Sequence, residues 1–285
     1  MDGLTQELVN FVTQTKFSDL PGDVVHETKR ILLDSIGCAI GANRMERGKV
    51  CADLAKRFGG PPESTILGKA GKVSSINAAF ANGELISALD YDALYGTHIP
   101  PFVIPAPLAV AEAVSASGKD LILSVALGHE IARRLQMATS STYGPIEGGP
   151  EKGKITFAPV SGNGTAGFGA AVGAGKILDL GPEKMANAIG IAGYTAPPSV
   201  FRKWTDTAPC RMTKYGPPGF TSEVGVRSAL LADMGYYGDT DIFDGDYCYW
   251  RFNGYQEWNK EIVIEDFGNT WKCLEVSYKK YPCGH

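Results

Sequence analysis

Small residues placed inside apolar stretches limit this chain more than any other feature. The run GTAGFGAAVGAG (164–175) is almost all Gly and Ala, and the same texture recurs in GCAIGA (37–42) and AIGIAG (188–193). A glycine inside a helix costs about 1 kcal/mol relative to alanine. Glycines at this frequency within helical patterns therefore need a compensating gain, and close approach of neighbouring backbones supplies it. The 35 glycines and 17 prolines punctuate apolar segments throughout and form no low-complexity tract. The expectation is a core of closely packed helices.

Periodicity places those helices. Leu4, Leu8, Phe11 and Val12 follow a helical i, i+4, i+7, i+8 pattern, and a second helix begins near Pro21–Asp23 with Val25, Thr28, Leu32 and Ile36 on one stripe. After the Pro61–Pro62 turn and a short β-like STILG piece, Ser75 is the expected cap of a helix over 76–88 that stops at LDYD. Further helices are expected over 105–115, 121–137, 165–178, 182–192 (Pro182 at the favoured first position) and 219–234. The long Gly/Pro-rich loop STYGPIEGGPEKGK interrupts the series, and loops of this kind inside compact proteins are more often functional than idle. Beyond Gly235 the chain becomes aromatic and turn-rich, and EIVIEDF and WKCLEVSY have strand composition. A domain boundary is placed near residue 255, dividing a helical domain over 1–254 from a short segment over 255–285. Two strands there could not bury both faces of a sheet unaided, so something that should pack on them is expected to be missing.

Charge and hydropathy exclude several classes of function. With 27 Lys and Arg against 31 Asp and Glu, the formal net charge is −4. That balance argues against nucleic-acid binding through a basic face and against a polybasic membrane anchor. No stretch approaches the roughly 18 uninterrupted apolar residues of a membrane span, and MDGLTQELVNF lacks the pattern of a signal peptide. A cytoplasmic protein with reduced thiols is expected: the six cysteines have no CxxC spacing, and Cys283 with His285 is too little for zinc.

Four groups of residues could carry chemistry. In SALDYDALYGTH (87–98), Asp90 and Asp92 leave a helix end and His98 follows within one loop. The negative end of the helix dipole raises carboxylate basicity there unless a partner compensates; the alternative is a polar turn with a solvated histidine. In CRMTKYGPPGF (210–220), Arg211 and Lys214 precede a helix N-terminus, where orphan N–H groups and fixed positive charge suit a di- or tricarboxylate; the alternative is two solvated side chains. GNGTAG (162–167) reads as GxGxxG, but the proline-broken segment before it and the helix after it do not make a βαβ unit, so close helix packing is preferred to dinucleotide binding. Lys279, Lys280 and Tyr281 form a weaker basic group. His26 and His129 are read as surface or boundary residues, and the aromatic residues between Tyr236 and Phe252 as packing at the domain junction.

Taken together, several segments resemble the MmgE/PrpD family. HETKRILLDSIGCAIGA resembles its opening helix, and ALDYD followed by His98 and PLAVAEA its acidic loop. GTAGFGAAVGAGKILDLGPEKMANAIGIAG resembles its small-residue helix pair, RMTKYGPPGFTSEVGVRSALLADMGYYG its lysine segment, and YKKYPCGH its KxYPC segment.

That resemblance implies a mainly α fold, a large all-helical domain carrying the beginning of a smaller α+β lid, usually in a homodimer. It implies a cofactor-independent lyase or isomerase that removes a proton next to a carboxylate of a small polycarboxylate, without metal. Asp90, His98, Lys214 and Lys279 match the family's catalytic positions, and His98 is expected to act as acid or base oriented by Asp90. Asp92, Thr97, Arg211, Thr213 and Tyr281 stand where substrate contacts are expected, Thr97 in a loop about two residues shorter than the family's. The histidines that family members often carry before the glycine-rich helix and after the MTK lysine are replaced here by FAPVSG and YGPPG. Family chains continue past the YPC segment, so a non-catalytic or half-site subunit, or a truncated homologue completed by another chain, is the alternative expectation.

Overall fold

The computed structural model describes residues 3–139, 143–145, 150, 152, 155–157, 164–195, 209, 211–214, 216–253 and 258–283. Most of them are helical. The principal helices are α1 (Leu4–Gln14), α2 (Gly22–Gly41), α3 (Glu46–Phe58), α4 (Ser75–Ser87), the single turn α5 (Pro100–Val103), α6 (Pro105–Ala113), α7 (Gly118–Ala138), α8 (Ala166–Ile177), α9 (Pro182–Thr195) and α10 (Pro218–Asp233). Two short helices follow, α11 (Tyr249–Phe252) and α12 (Lys260–Ile264). Among the described residues, β structure is confined to two antiparallel pairs, Ser64–Thr65 with Lys72–Val73 and Tyr143–Pro145 with Ile155–Phe157.

Central position follows from composition. Every residue of α8 from Ala166 to Gly175 is buried, as is α4 from Ala78 to Ser87, and a helix apolar all round belongs in the middle of a bundle. α7, α6, α10 and α9 pack around α8, and α10 also covers α4. Glycine makes this possible. A Cβ on Gly128 would stand 2.7 Å from the carbonyl oxygen of Gly169, so α7 and α8 cross with their backbones in contact. On the other side, a Cβ on Gly83 would stand 3.0 Å from Gly219, where α4 meets the start of α10.

Helix ends are set by local chemistry. Ser74, not the expected Ser75, caps α4 by accepting the N–H of Asn77, one residue earlier because Ser74 keeps the extended conformation a cap needs. Ser117 and Asp120 form a capping box at α7. No helix among the described residues is long and apolar enough to cross a membrane.

Three expectations are corrected. EIVIEDF and WKCLEVSY do not form strands: residues 260–264 make α12 and 272–274 a single 3₁₀ turn. A strand needs a partner backbone, and here the carbonyls of Ile262, Val263, Glu265 and Thr270 accept hydrogen bonds from the Arg134 guanidinium instead. His129 is not a boundary residue; it is 1% exposed in the middle of α7. The aromatic group divides: Phe243 and Tyr249 pack edge-on against Phe168, whereas Tyr236, Tyr237 and Tyr247 face solvent.

Several expectations fall on residues that lie outside the described set, among them Gly162 and Asn163 of the GxGxxG motif, Cys210, His285 and most of the loop over 141–154. Where GNGTAG is described, Gly164 and Thr165 form the turn that enters α8, and no parallel strand precedes it among the described residues. Among the described cysteines, Cys38, Cys51, Cys248 and Cys273 are free thiols.

Candidate functional site

The acidic loop is built at the C-terminal end of α4. Asp90 follows the last turn with its N–H bonded to the Ser87 carbonyl, and its backbone is left-handed at φ 51°. Aspartate tolerates this region better than most residues. The chain then threads Asp92 into the interior, and Ala93 donates its N–H to Asp34 on α2. Leu94 and Ser277 exchange backbone hydrogen bonds at 2.9 Å in both directions. Tyr95, buried, donates its hydroxyl to the Cys273 carbonyl, and Arg133 donates to the Tyr95 carbonyl. Gly96 turns the loop at φ 71°, and Pro100 and Pro101 open α5 just beyond His98.

Asp90 is the hub of the charged groups. Its Oδ2 is 2.7 Å from Lys214 Nζ, and its Oδ1 is 2.7 Å from Lys279 Nζ. His98 Nε2 lies 3.5 Å from the same Oδ1. The other ring nitrogen, Nδ1, is 2.7 Å from Asp92 Oδ2. A carboxylate only accepts hydrogen bonds, so Nδ1 carries the proton there and Nε2 is the nitrogen turned toward Asp90. The expectation that His98 is oriented by Asp90 is thus revised. Asp92 does the orienting, and with no exposed surface it stands behind His98 rather than where a substrate could touch it.

The lysines are not equivalent. An ammonium has three N–H donors, and Lys279 has three acceptors within reach: Asp90 Oδ1, the Asp90 carbonyl at 2.9 Å and the Cys283 carbonyl at 3.0 Å. Its side chain is 1% exposed, against 19% for Lys214. Lys279 therefore holds Asp90 in place, and Lys214 is the ammonium nearer to solvent. Burial acts to raise the Asp90 carboxyl, but its hydrogen bonds to Lys214 and Lys279 outweigh this and hold it below the usual carboxylate range. The helix-end position alone would have made it more basic, and the two lysines are the compensating partners. Asp34, by contrast, is pushed up by burial and by the neighbouring Asp92 charge.

The remaining candidates are placed less centrally. Thr97 accepts a hydrogen bond from Gln136 of α7 at its hydroxyl, a contact that no local sequence signal marks. Arg211 and Thr213 are exposed, and their side chains make no hydrogen bond or ion pair with the Asp90 group. Tyr281 is 71% exposed. Asp90, Asp92 and His98 present ligand atoms within 4.8 Å of one another, a spacing a cation could use. Both Asp90 oxygens already face ammonium groups and His98 Nδ1 faces Asp92, so this donor set suits internal ion pairing better than a metal. An open groove of about 350 Å³ lies elsewhere, between α3, the first half of α4 and α10, lined by Leu54, Phe58, Phe80, Phe220, Glu223 and Arg227.

The MmgE/PrpD N-terminal domain model matches residues 6–259. The chain belongs to the MmgE/PrpD family. It is similar to a cis-aconitate decarboxylase of Aspergillus terreus (26% identical, covering 99% of this chain and 57% of the relative) and to a cis-aconitate decarboxylase-like protein of Aspergillus oryzae (27%, 98% and 58%). The human cis-aconitate decarboxylase matches at 26% identity over 99% of this chain and 57% of its own length. The chain thus spans a little over half the length of these MmgE/PrpD relatives. The mainly helical architecture accords with membership, and the relatives named here are decarboxylases or decarboxylase-like proteins.

Proposed function

We propose that this protein takes part in a lyase or isomerase reaction on a small polycarboxylate, with cis-aconitate or a methylcitrate-like acid as the substrate class, by moving a proton at a carbon next to a carboxylate. The observation that carries this reading is the Asp90 carboxylate held between Lys214 and Lys279 with His98 Nε2 at 3.5 Å. The names of the relatives support the decarboxylase version, in which the C–C bond to a carboxylate breaks, CO2 leaves and a proton is delivered to carbon; water elimination and epimerisation begin instead with removal of a proton next to a carboxylate.

In that step the C–H bond breaks, its proton passes to His98 Nε2, and the electron pair spreads into the adjacent carboxylate as an enediolate. The reverse transfer from protonated Nε2 delivers a proton to carbon. Asp92 fixes the ring orientation and stabilises the imidazolium that forms, as a carboxylate partner does for a histidine base. Lys214 faces the negative charge that builds on the substrate carboxylate, and a fixed ammonium in a partly dehydrated site is effective there. Lys279 and Asp90 keep Lys214 and His98 apart at a set distance. Arg211, Thr213 and Tyr281 are exposed and would reach substrate only by turning toward it. A cytoplasmic location and a homodimer accompany this reading as proposals.

Proton NMR of cis-aconitate, methylcitrate and citrate in deuterated buffer tests it. Exchange or loss of a proton next to a carboxylate, dependent on the protein and abolished in His98→Gln, is the expected result. Absence of both exchange and turnover for all three acids, with the folded protein in stoichiometric amount, would overturn it.

A further inference from the structure

Lys279 sits in a segment with almost no regular structure, yet its ammonium meets three acceptors at hydrogen-bond distance. Something must hold that segment, and the holder is a buried ion pair on α7. Glu130 and Arg134, spaced i, i+4, are 1% and 0% exposed. Arg134 Nε donates to Glu130 Oε1 at 2.5 Å, Nη1 to the carbonyls of Ile262, Val263 and Glu265, and Nη2 to that of Thr270. The guanidinium also lies 4.6 Å from the centre of the Phe267 ring. The second Glu130 oxygen accepts the Cys273 N–H at 2.8 Å. From Cys273 the path continues through its carbonyl to Tyr95 and through Ser277 to Leu94, and ends at Lys279 on Asp90.

Burying two charges is expensive, and an apolar pair of similar volume is often as good or better for stability alone. A guanidinium, however, presents five donors in a rigid fork, which is what an irregular backbone with unpaired carbonyls requires. We infer that Glu130 and Arg134 are positioning residues: they lock residues 262–273 onto α7 so that Lys279 arrives at Asp90, and they touch no reacting atom themselves. This rests on reading the Asp90–Lys279 pair as part of the working site, but the positioning can be measured without any substrate.

The test is amine acetylation of the folded protein under limiting reagent, read by mass spectrometry, with Lys72 as internal reference. Lys72 bonds to Glu112 of α6 and to the Glu63 carbonyl, neither of which belongs to the clamped segment. In Arg134→Lys, which cannot reach four carbonyls at once, Lys279 should label at least tenfold faster relative to Lys72 than in the unaltered protein. Glu130→Gln, which keeps the shape of the side chain, replaces it if Arg134→Lys does not fold. In Lys279→Ala the same clamp substitution should cause a smaller loss in the NMR exchange assay than it does in the unaltered protein. Unchanged Lys279 labelling in a folded variant, or an equal rise at Lys279 and Lys72, would overturn the inference; a failure of all exchange activity would count only against the proposed reaction.

Discussion

Lys279 and Asp90 are 189 positions apart in sequence, and the lysine Nζ lies 2.7 Å from Asp90 Oδ1 and 2.9 Å from the Asp90 carbonyl. One side chain thus fixes both the charge and the left-handed backbone of the residue at the centre of the site.

Replacing Lys279 by Met should therefore destabilise the protein by about 1.5–3 kcal/mol at pH 7, the range for a hydrogen bond to a charged group. The Asp90 carboxyl lies below its ordinary value in the folded protein, so its stabilising effect is present above about pH 3.9, the unfolded value, and is lost as pH falls through the lower folded value. Urea denaturation of both proteins should show the difference narrowing as pH is taken below about 3.9. A difference that is constant with pH would show that the pair contributes no charge-dependent stability.

His98 and Asp92 should act as a unit. His98→Gln is expected to lower exchange of the substrate proton by about 100-fold or more, the usual size of a general acid–base contribution. Asp92→Asn should cost roughly tenfold or more, and the double variant little more than His98→Gln alone, because residues in one hydrogen-bonded network are not additive. Kinetic constants for the three variants check this, and full additivity would separate the two residues.

The neutral, buried His129 gives a second pH signature. Burial holds its imidazole down at about 4, although its hydrogen bond to the Val125 carbonyl acts in the opposite direction. The unfolded chain therefore takes up this proton first, near pH 6.5. The contribution is fully present above that pH and is lost as pH falls from about 6.5 to 4, by roughly 3 kcal/mol in all. Urea midpoints for His129→Leu should lack this limb while the unaltered protein retains it.

Glycine at the α7–α8 crossing should be irreplaceable. A Cβ on Gly169 would stand 2.8 Å from the Ala132 methyl and even closer to the Gly128 carbonyl, so Gly169→Ala is expected to destabilise by about 1–3 kcal/mol. Gly37 in α2 has nothing within 4 Å of a new Cβ, and Gly37→Ala should stabilise by up to about 1 kcal/mol. Thermal or urea melts of both variants check the contrast in sign.

Much of the helical framework could be read from local patterns. Apolar spacing located α1, α2 and α6–α10 to within a few residues, because amphipathic periodicity and capping are properties of neighbouring positions. Residues 260–274 were misread because β-branched and aromatic composition signals a strand only where a partner backbone exists. His129 was misread because the Glu130 beside it looks like solvent-facing charge, whereas Arg134 one turn later neutralises it in the interior. Gln136, Arg133 and Asp34 support the acidic loop and carry no local signal of that role. The i, i+4 spacing of Glu130 and Arg134 within an otherwise apolar stretch was the one available clue.

Residue types, helix positions and the family resemblance were settled by the order of amino acids, since each depends on short-range spacing and on segments recognisable one at a time. Pairing was decided only in three dimensions. That Lys279 has its three donors filled by Asp90 and Cys283, that Asp92 rather than Asp90 orients His98, and that Arg134 holds the segment between them follow from which surfaces the helices bring together. Ion pairs and hydrogen bonds act over a few ångströms of space, and the same residues at the same spacing would be inert without the packed helical core that sets those distances.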